Sequence, residues 1–288
     1  MRTLAPPVID ERDLYDRLRA RRNGNTANVL ADARETVFGA YSQYKSGELC
    51  SLSTVIDNDD TAETIRSNYA VLRSGALVAD GAMILARSRI CCLCGLRATS
   101  ELDHYLPKQL FPEFAVYTVN LVPVCGVCNK RKSDEYMTSL GGPAFIHAYL
   151  DQLPSSEPFL RATLKFDDGI IPSFEVVQTP GLPDETYRVL ASQFEHFHLD
   201  TIYSEEAVEL LNEKSEAIED YSSECGPTGV EKYLHREARS AARHLGLNHW
   251  KPATLTAAAE SADFCGGGFR LLNLEPPTAV IDGAELSF

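Results

Sequence analysis

Apolar positions recur at helical spacing along most of the chain. Val29, Leu30, Ala33, Val37 and Tyr41 fall on one face of a helix that runs to about Lys45, with Asn25 or Thr26 as its cap. Before it, Glu11 to Arg22 is charged and helix-friendly. After it, Thr61, Glu63 and Thr64 open a helix through Ile65, Tyr69, Val71 and Leu72. Between Arg89 and Asp134 the period dissolves into short apolar pieces broken by Gly, Pro and Cys, the texture of a small metal-nucleated fold. A helix is predicted at Ala144 to Leu150, then hairpin strands at Leu164 to Phe166 and Phe174 to Gln178. Asp184 to His198, Ser204 to Tyr221, Pro227 to Leu245 and Trp250 to Ala262 read as further helices. The pattern predicts a mainly helical α+β chain in three regions: helical over residues 1–86, a compact module over 87–140, and mostly helical over 141–288.

Composition narrows the class. With 288 residues, 44% of them hydrophobic and 24% charged, the chain can bury a sizeable core. Its longest apolar stretch, Gly75 to Ala86, is broken by Asp80 and too short to span a bilayer. The opening MRTLAPPVIDERD has no apolar signal core, so neither membrane insertion nor secretion is expected. The expected compartment is a reducing cytoplasm, where clustered cysteines hold metal more often than they form disulfides. A net charge of −14 opposes nucleic-acid binding over the whole surface. Charge is uneven, however: Arg87 to Glu135 carries seven basic and five acidic residues, a net of +2, which leaves −16 elsewhere. Screening over about 8 Å makes the local sign the one that counts.

That basic segment holds two Cys-x-x-Cys pairs, Cys91/Cys94 and Cys125/Cys128, thirty residues apart. Two intervening residues let a turn present both sulfurs to one side of a tetrahedral zinc. Gly95 after the first pair and Gly126 inside the second suit tight knuckles. Cys92 is the spare, since pairing it with Cys94 would leave one intervening residue. Between the pairs, Asp103 and His104 lie at the end of a short strand-like run, Thr99 to Leu102. Asn120 lies sixteen residues beyond His104, and Asn129 follows the last cysteine with Lys130, Arg131 and Lys132 behind it.

From Arg89 to Asp134, under a fifth of the chain, this pattern resembles the HNH endonuclease family in its McrA-like, zinc-bearing form. The resemblance implies a ββα-metal fold, with His104 as general base and Asp103 and Asn129 as ligands of a catalytic Mg²⁺ or Mn²⁺. It implies that Asn120 holds the loop between the strands and so orients His104. The four cysteines would bind a structural zinc. The chemistry of the residues agrees. An imidazole accepts a proton near neutral pH, a hard cation suits a carboxylate and an amide oxygen, and Lys108, Lys130, Arg131 and Lys132 would contact phosphates. DNA is the implied substrate, cut to 3′-hydroxyl and 5′-phosphate ends. The implied setting is bacterial defence against phage or foreign DNA, sometimes with an ATPase partner. The competing readings are a non-catalytic zinc module that docks on nucleic acid or protein, and a regulatory subunit with a vestigial nuclease core.

One further pattern lies outside the resemblance. Lys232, Arg236, Arg239 and Arg243 recur at steps of four, three and four, which sets them on one stripe of a helix. They read either as a DNA-backbone track extending the footprint of the central module or as a clamp pairing with the acids between Glu205 and Asp220. The cysteine count itself yields a measurable expectation. Protein purified without added metal should carry about one zinc per chain by elemental analysis; a metal-free, stably folded chain would overturn the zinc assignment.

Overall fold

The structure, a computed structural model, describes residues 2–273. They form two compact units. One comprises residues up to 154 together with 178–199, and the other comprises 155–177 with 200 onward. These boundaries differ from the three regions read off the sequence, because the N-terminal helices and the central module share one unit. The chain is mainly helical with two small antiparallel two-stranded sheets, an α+β protein as expected. Among the described residues no helix is long and apolar enough to cross a membrane.

In the first unit, α1 (Glu11–Arg19) starts at Asp10, whose carboxylate accepts the N–H groups of Arg12 and Asp13. α2 (Gly24–Tyr44) buries Leu30, Val37, Phe38, Tyr41 and Tyr44, much as its spacing predicts. α3 (Asp59–Ser74) is capped by Asn58, three residues before Thr61, the position read as its start. The stretch interrupted by Asp80 forms α4 (Val78–Leu85). Asp80 accepts both ends of the Arg17 guanidinium, at 3.0 and 2.8 Å, and so ties α4 to α1.

The centre of this unit is a hairpin followed directly by a short helix: β1 (Glu101–His104), β2 (Leu121–Val124) and α5 (Gly126–Lys132). β1 pairs antiparallel with β2, Asp103 facing Val122 and His104 facing Leu121. The strand lies two residues later than the run predicted. α6 (Asp184–His196) completes the unit, and its Gln193 donates to Leu93 O, inside the first cysteine pair.

One predicted helix does not form. Ala144 to Leu150 is irregular because side chains satisfy its backbone. Gln193 accepts the Ile146 N–H, Asp151 that of His147, and the His147 ring those of Tyr149 and Leu150.

The second unit packs β3 (Leu160–Phe166) and β4 (Ile170–Val176), each longer than its predicted strand, with α7 (Leu199–Asn212), α8 (Ser215–Leu245), α9 (Trp250–Glu260) and α10 (Ala262–Cys265). Trp250, which begins α9, is core. α8 is interrupted at Gly226, where φ is +64°. The Tyr221 and Tyr233 rings stack 4.7 Å apart, whereas twelve residues of continuous helix would separate them by about 18 Å. The two halves of α8 are therefore an antiparallel hairpin, and Lys214 reaches Glu237 across it.

Gly229 permits the close approach: a Cβ there would sit 2.4 Å from the Cys225 Cβ and 2.8 Å from Tyr221 O. Gly39 in α2, by contrast, has open space around it. Gly39→Ala should raise stability by about 0.5–1 kcal/mol through helix propensity. Gly229→Ala should lower it by about 1–3 kcal/mol through overpacking. Urea unfolding checks both, and equal shifts would contradict the hairpin.

Candidate functional site

The four cysteines converge. Cys91, Cys94, Cys125 and Cys128 are all buried, and their sulfurs lie within 4.8 Å of one another. Gly95, at φ +64°, turns the chain so that its N–H bonds Cys91 O, closing the first knuckle. Cys125 forms the second knuckle as the N-cap of α5, its sulfur 3.5 Å from the Cys128 N–H. Cys92 lies outside the cluster, as its spacing implied; burial pushes its thiol up to about 11. The cluster anchors the chain before β1 to the start of α5, on either side of the hairpin.

Side chains on β1 alternate between the faces of the strand. Glu101 and Asp103 share one face, and α5 covers it: Asn129 Nδ2 donates to Glu101 Oε2, and three residues on, Lys132 Nζ lies 3.2–3.3 Å from both Asp103 oxygens. Gly126 makes room for the Glu101 carboxylate, since a Cβ there would lie 2.7 Å from Oε1. Lys132 also donates to His104 O. Lys132 is wholly buried and Asp103 nearly so. Burial raises the Asp103 carboxyl above its ordinary range, and the Lys132 ammonium offsets part of that rise.

His104 occupies the opposite face. Its Nε2 bonds Ala115 O at 2.9 Å, and its ring meets Tyr69 edge-on at 4.5 Å. A carbonyl can only accept, so the proton resides on Nε2 and Nδ1 keeps its lone pair. Burial pushes the imidazole down to about 3, which keeps it neutral near pH 7. Lys108 stands beside it, its ammonium 4.6 Å from the Tyr69 ring centre.

Asn120 closes the loop between the strands. Its Oδ1 accepts Leu106 N and Tyr44 OH, and its Nδ2 donates to Leu106 O and Phe114 O. The loop that carries Ala115 is thus tied to its own first residues and to α2.

The basic residues divide. Lys130 is exposed and bonded to no described residue. Arg131 is exposed, but its Nη1 donates to Phe197 O. Lys132 does not belong with them: expected at a phosphate, it is buried against Asp103, because that carboxylate needs a counter-charge inside the protein.

Over 71 residues the chain is 34% identical to Protein ea31 of Escherichia phage lambda, a stretch that is 24% of this chain and 24% of that protein. The chain thus matches about a quarter of that relative's length. It matches no protein-family model and no solved structure.

Four residues around the loop were not legible as site residues. Glu101 could have been found from the two-residue strand period, which puts it on the Asp103 face. Glu113 is buried and accepts from Thr54 Oγ1 and Val55 N, pinning the loop to the chain before α3. Tyr44 and His147 complete the Asn120 network from distant parts of the chain. His147 Nδ1 accepts two backbone N–H groups, so its Nε2 donates to Tyr44 OH, which donates in turn to Asn120. Tyr44→Phe keeps the packing and removes both bonds, leaving a buried donor unpaired. It should cost about 1–3 kcal/mol in urea unfolding. A change under about 0.5 kcal/mol would mean that the network carries no stability.

Proposed function

We propose that the chain is a metal-dependent endonuclease of the HNH type that hydrolyses phosphodiester bonds in DNA. The single observation that carries this reading is the hairpin-helix at residues 101–132. One strand holds Asp103 beside His104, the loop behind them is closed by Asn120, and the helix that follows bears Asn129. The resemblance assigns roles to these same four side chains.

The residues fit the metals the reading requires. Four buried thiols within 4.8 Å of one another are a zinc donor set, and among the described residues no disulfide joins them. A carboxylate at Asp103 and an amide oxygen at Asn129 are hard donors suited to Mg²⁺ or Mn²⁺. Because Asn129 Nδ2 is committed to Glu101, its Oδ1 is the atom left to ligate. Such a cation, when bound, neutralises phosphate charge and stabilises the leaving oxygen.

The protein's own groups supply the rest. His104, held by Ala115 O in the tautomer with Nδ1 bare, is set to take a proton from water. Asn120 keeps that carbonyl in register through its bonds to Leu106 and Phe114. Lys108 and Lys130 offer positive charge for flanking phosphates. In a reducing cytoplasm the four thiols would bind zinc rather than form disulfides, and the resemblance extends the proposal to action on foreign DNA, with an ATPase as partner.

One observation favours the alternative, a zinc-stabilised docking module without catalysis: Lys132 already neutralises Asp103. Plasmid cleavage with Mg²⁺, Mn²⁺ or EDTA separates the two readings. His104→Ala should lower cleavage about 10²–10⁴-fold while zinc content and melting temperature stay near wild type. Cys125→Ser should lose zinc and melt early, because metal binding contributes directly to folding. Wild-type protein inert with both cations would leave the docking module standing, and a His104→Ala variant of full activity would remove His104 from the role of base.

A further inference from the structure

Within the second unit, the α8 hairpin carries a basic face that forms no ion pair among the described residues. Lys232, Arg236, Arg239 and Arg243 are all exposed. Among the described residues none of them forms an ion pair, so the clamp to the acids between Glu205 and Asp220 is not made. Lys214 pairs instead with Glu237, and Glu219 with Arg270. Glu231 and Glu237, the acids of the same half-helix, lie about 80° or more around it from the stripe. The side chains interleaved with the stripe, Thr228, His235 and Ser240, are polar, which leaves no apolar anchor of the kind a membrane-surface helix needs.

The stripe is also partly ordered in advance. Arg236 Nη2 donates to Tyr221 OH at 2.9 Å, and its guanidinium lies 5.7 Å from the centres of both the Tyr221 and Tyr233 rings. That support exists only because the chain folds back at Gly226. It fixes one fork of donors while leaving the remaining N–H groups to solvent. A groove of about 220 Å³ beside it is lined by Lys232, Arg236 and Thr228 together with Tyr221, Tyr233 and Cys225. From Lys232 to Arg243 the stripe spans about 16 Å of helix. One strand of duplex DNA presents about five phosphates over that length, at 3.4 Å of axis each.

We propose that this stripe is a contact surface for the sugar-phosphate backbone of duplex DNA. It does not rest on the cleavage reading, since binding is measured without divalent metal and on a different unit of the fold.

The test is fluorescence anisotropy with a 30-base-pair DNA duplex at several salt concentrations, using the full chain and a Lys232→Gln, Arg239→Gln, Arg243→Gln variant. Arg236 is left in place so that its tyrosine contacts persist. Loss of three contacts should reduce the slope of log K against log salt by about 2.7 and weaken binding at 0.1 M salt on the order of a hundredfold, with the melting temperature unchanged. Equal affinity and slope for variant and wild type would overturn the proposal, as would tighter binding to an RNA duplex or to polyglutamate than to DNA. If the triple variant melts early, Arg239→Lys with Arg243→Lys decides: a backbone track keeps its salt slope, and loss of the slope despite retained charge would overturn it. The His104→Ala variant keeps the two readings separable. Stripe-dependent binding by a chain that never cleaves would sink the nuclease and leave the track intact.

Discussion

Asn120 is wholly buried and spends both lone pairs and both N–H groups on hydrogen bonds, three to the loop between β1 and β2 and one to Tyr44. That saturation is the constraint on which the candidate site depends. A connection of sixteen residues could adopt many paths, and its entropy would let the far side of the hairpin drift. Tying Leu106 and Phe114 to one amide removes most of that freedom. The α2 aromatics remove more, since Tyr41 stacks on Tyr117 at 4.1 Å and Tyr44 meets Phe114 edge-on at 4.9 Å. The carbonyl of Ala115 is what remains to orient His104, so the ring is positioned through helices and loops far from β1 in sequence.

This explains which parts of the molecule were legible in the sequence. The cysteine pairs were, because two intervening residues dictate a knuckle locally. The helical face of α2 was, because a 3.6-residue period records burial. The helix expected at Ala144 to Leu150 was not, since its backbone is satisfied by Gln193, Asp151 and His147 side chains that no period records. Tyr44 and His147 were illegible as site residues for the same reason: each is an ordinary buried residue until the fold brings it to Asn120. The hairpin at Gly226 was half legible. A Gly-Pro pair marks a break, but only the Tyr221–Tyr233 stack shows that the break reverses the chain.

Lys132 shows where a charge pattern misleads. In sequence it belongs to a basic run after Asn129, and exposed runs of that kind commonly meet phosphates. In the fold, residues 129 and 132 are one helical turn apart and face β1, while Lys130 and Arg131 turn outward. The same period that gives Asn129 to Glu101 therefore gives Lys132 to Asp103.

A buried carboxylate needs a positive partner, and Lys132 supplies it at 3.2 Å while also donating to His104 O. Removing the lysine alone would leave Asp103 charged in a dry site, a penalty that outweighs what the pair contributes over an apolar substitute. On the nuclease reading this has a sharp consequence. A divalent cation ligated by Asp103 would bring the counter-charge that Lys132 already provides, so the two compete for one carboxylate. The lysine would then keep the site stable while metal is absent and would have to share or release the aspartate when it binds. On the docking-module reading no such exchange occurs, and the pair is permanent. Which of the two holds is decided by the affinity of Asp103 for a second positive charge, a property of three side chains on one strand and one helical turn.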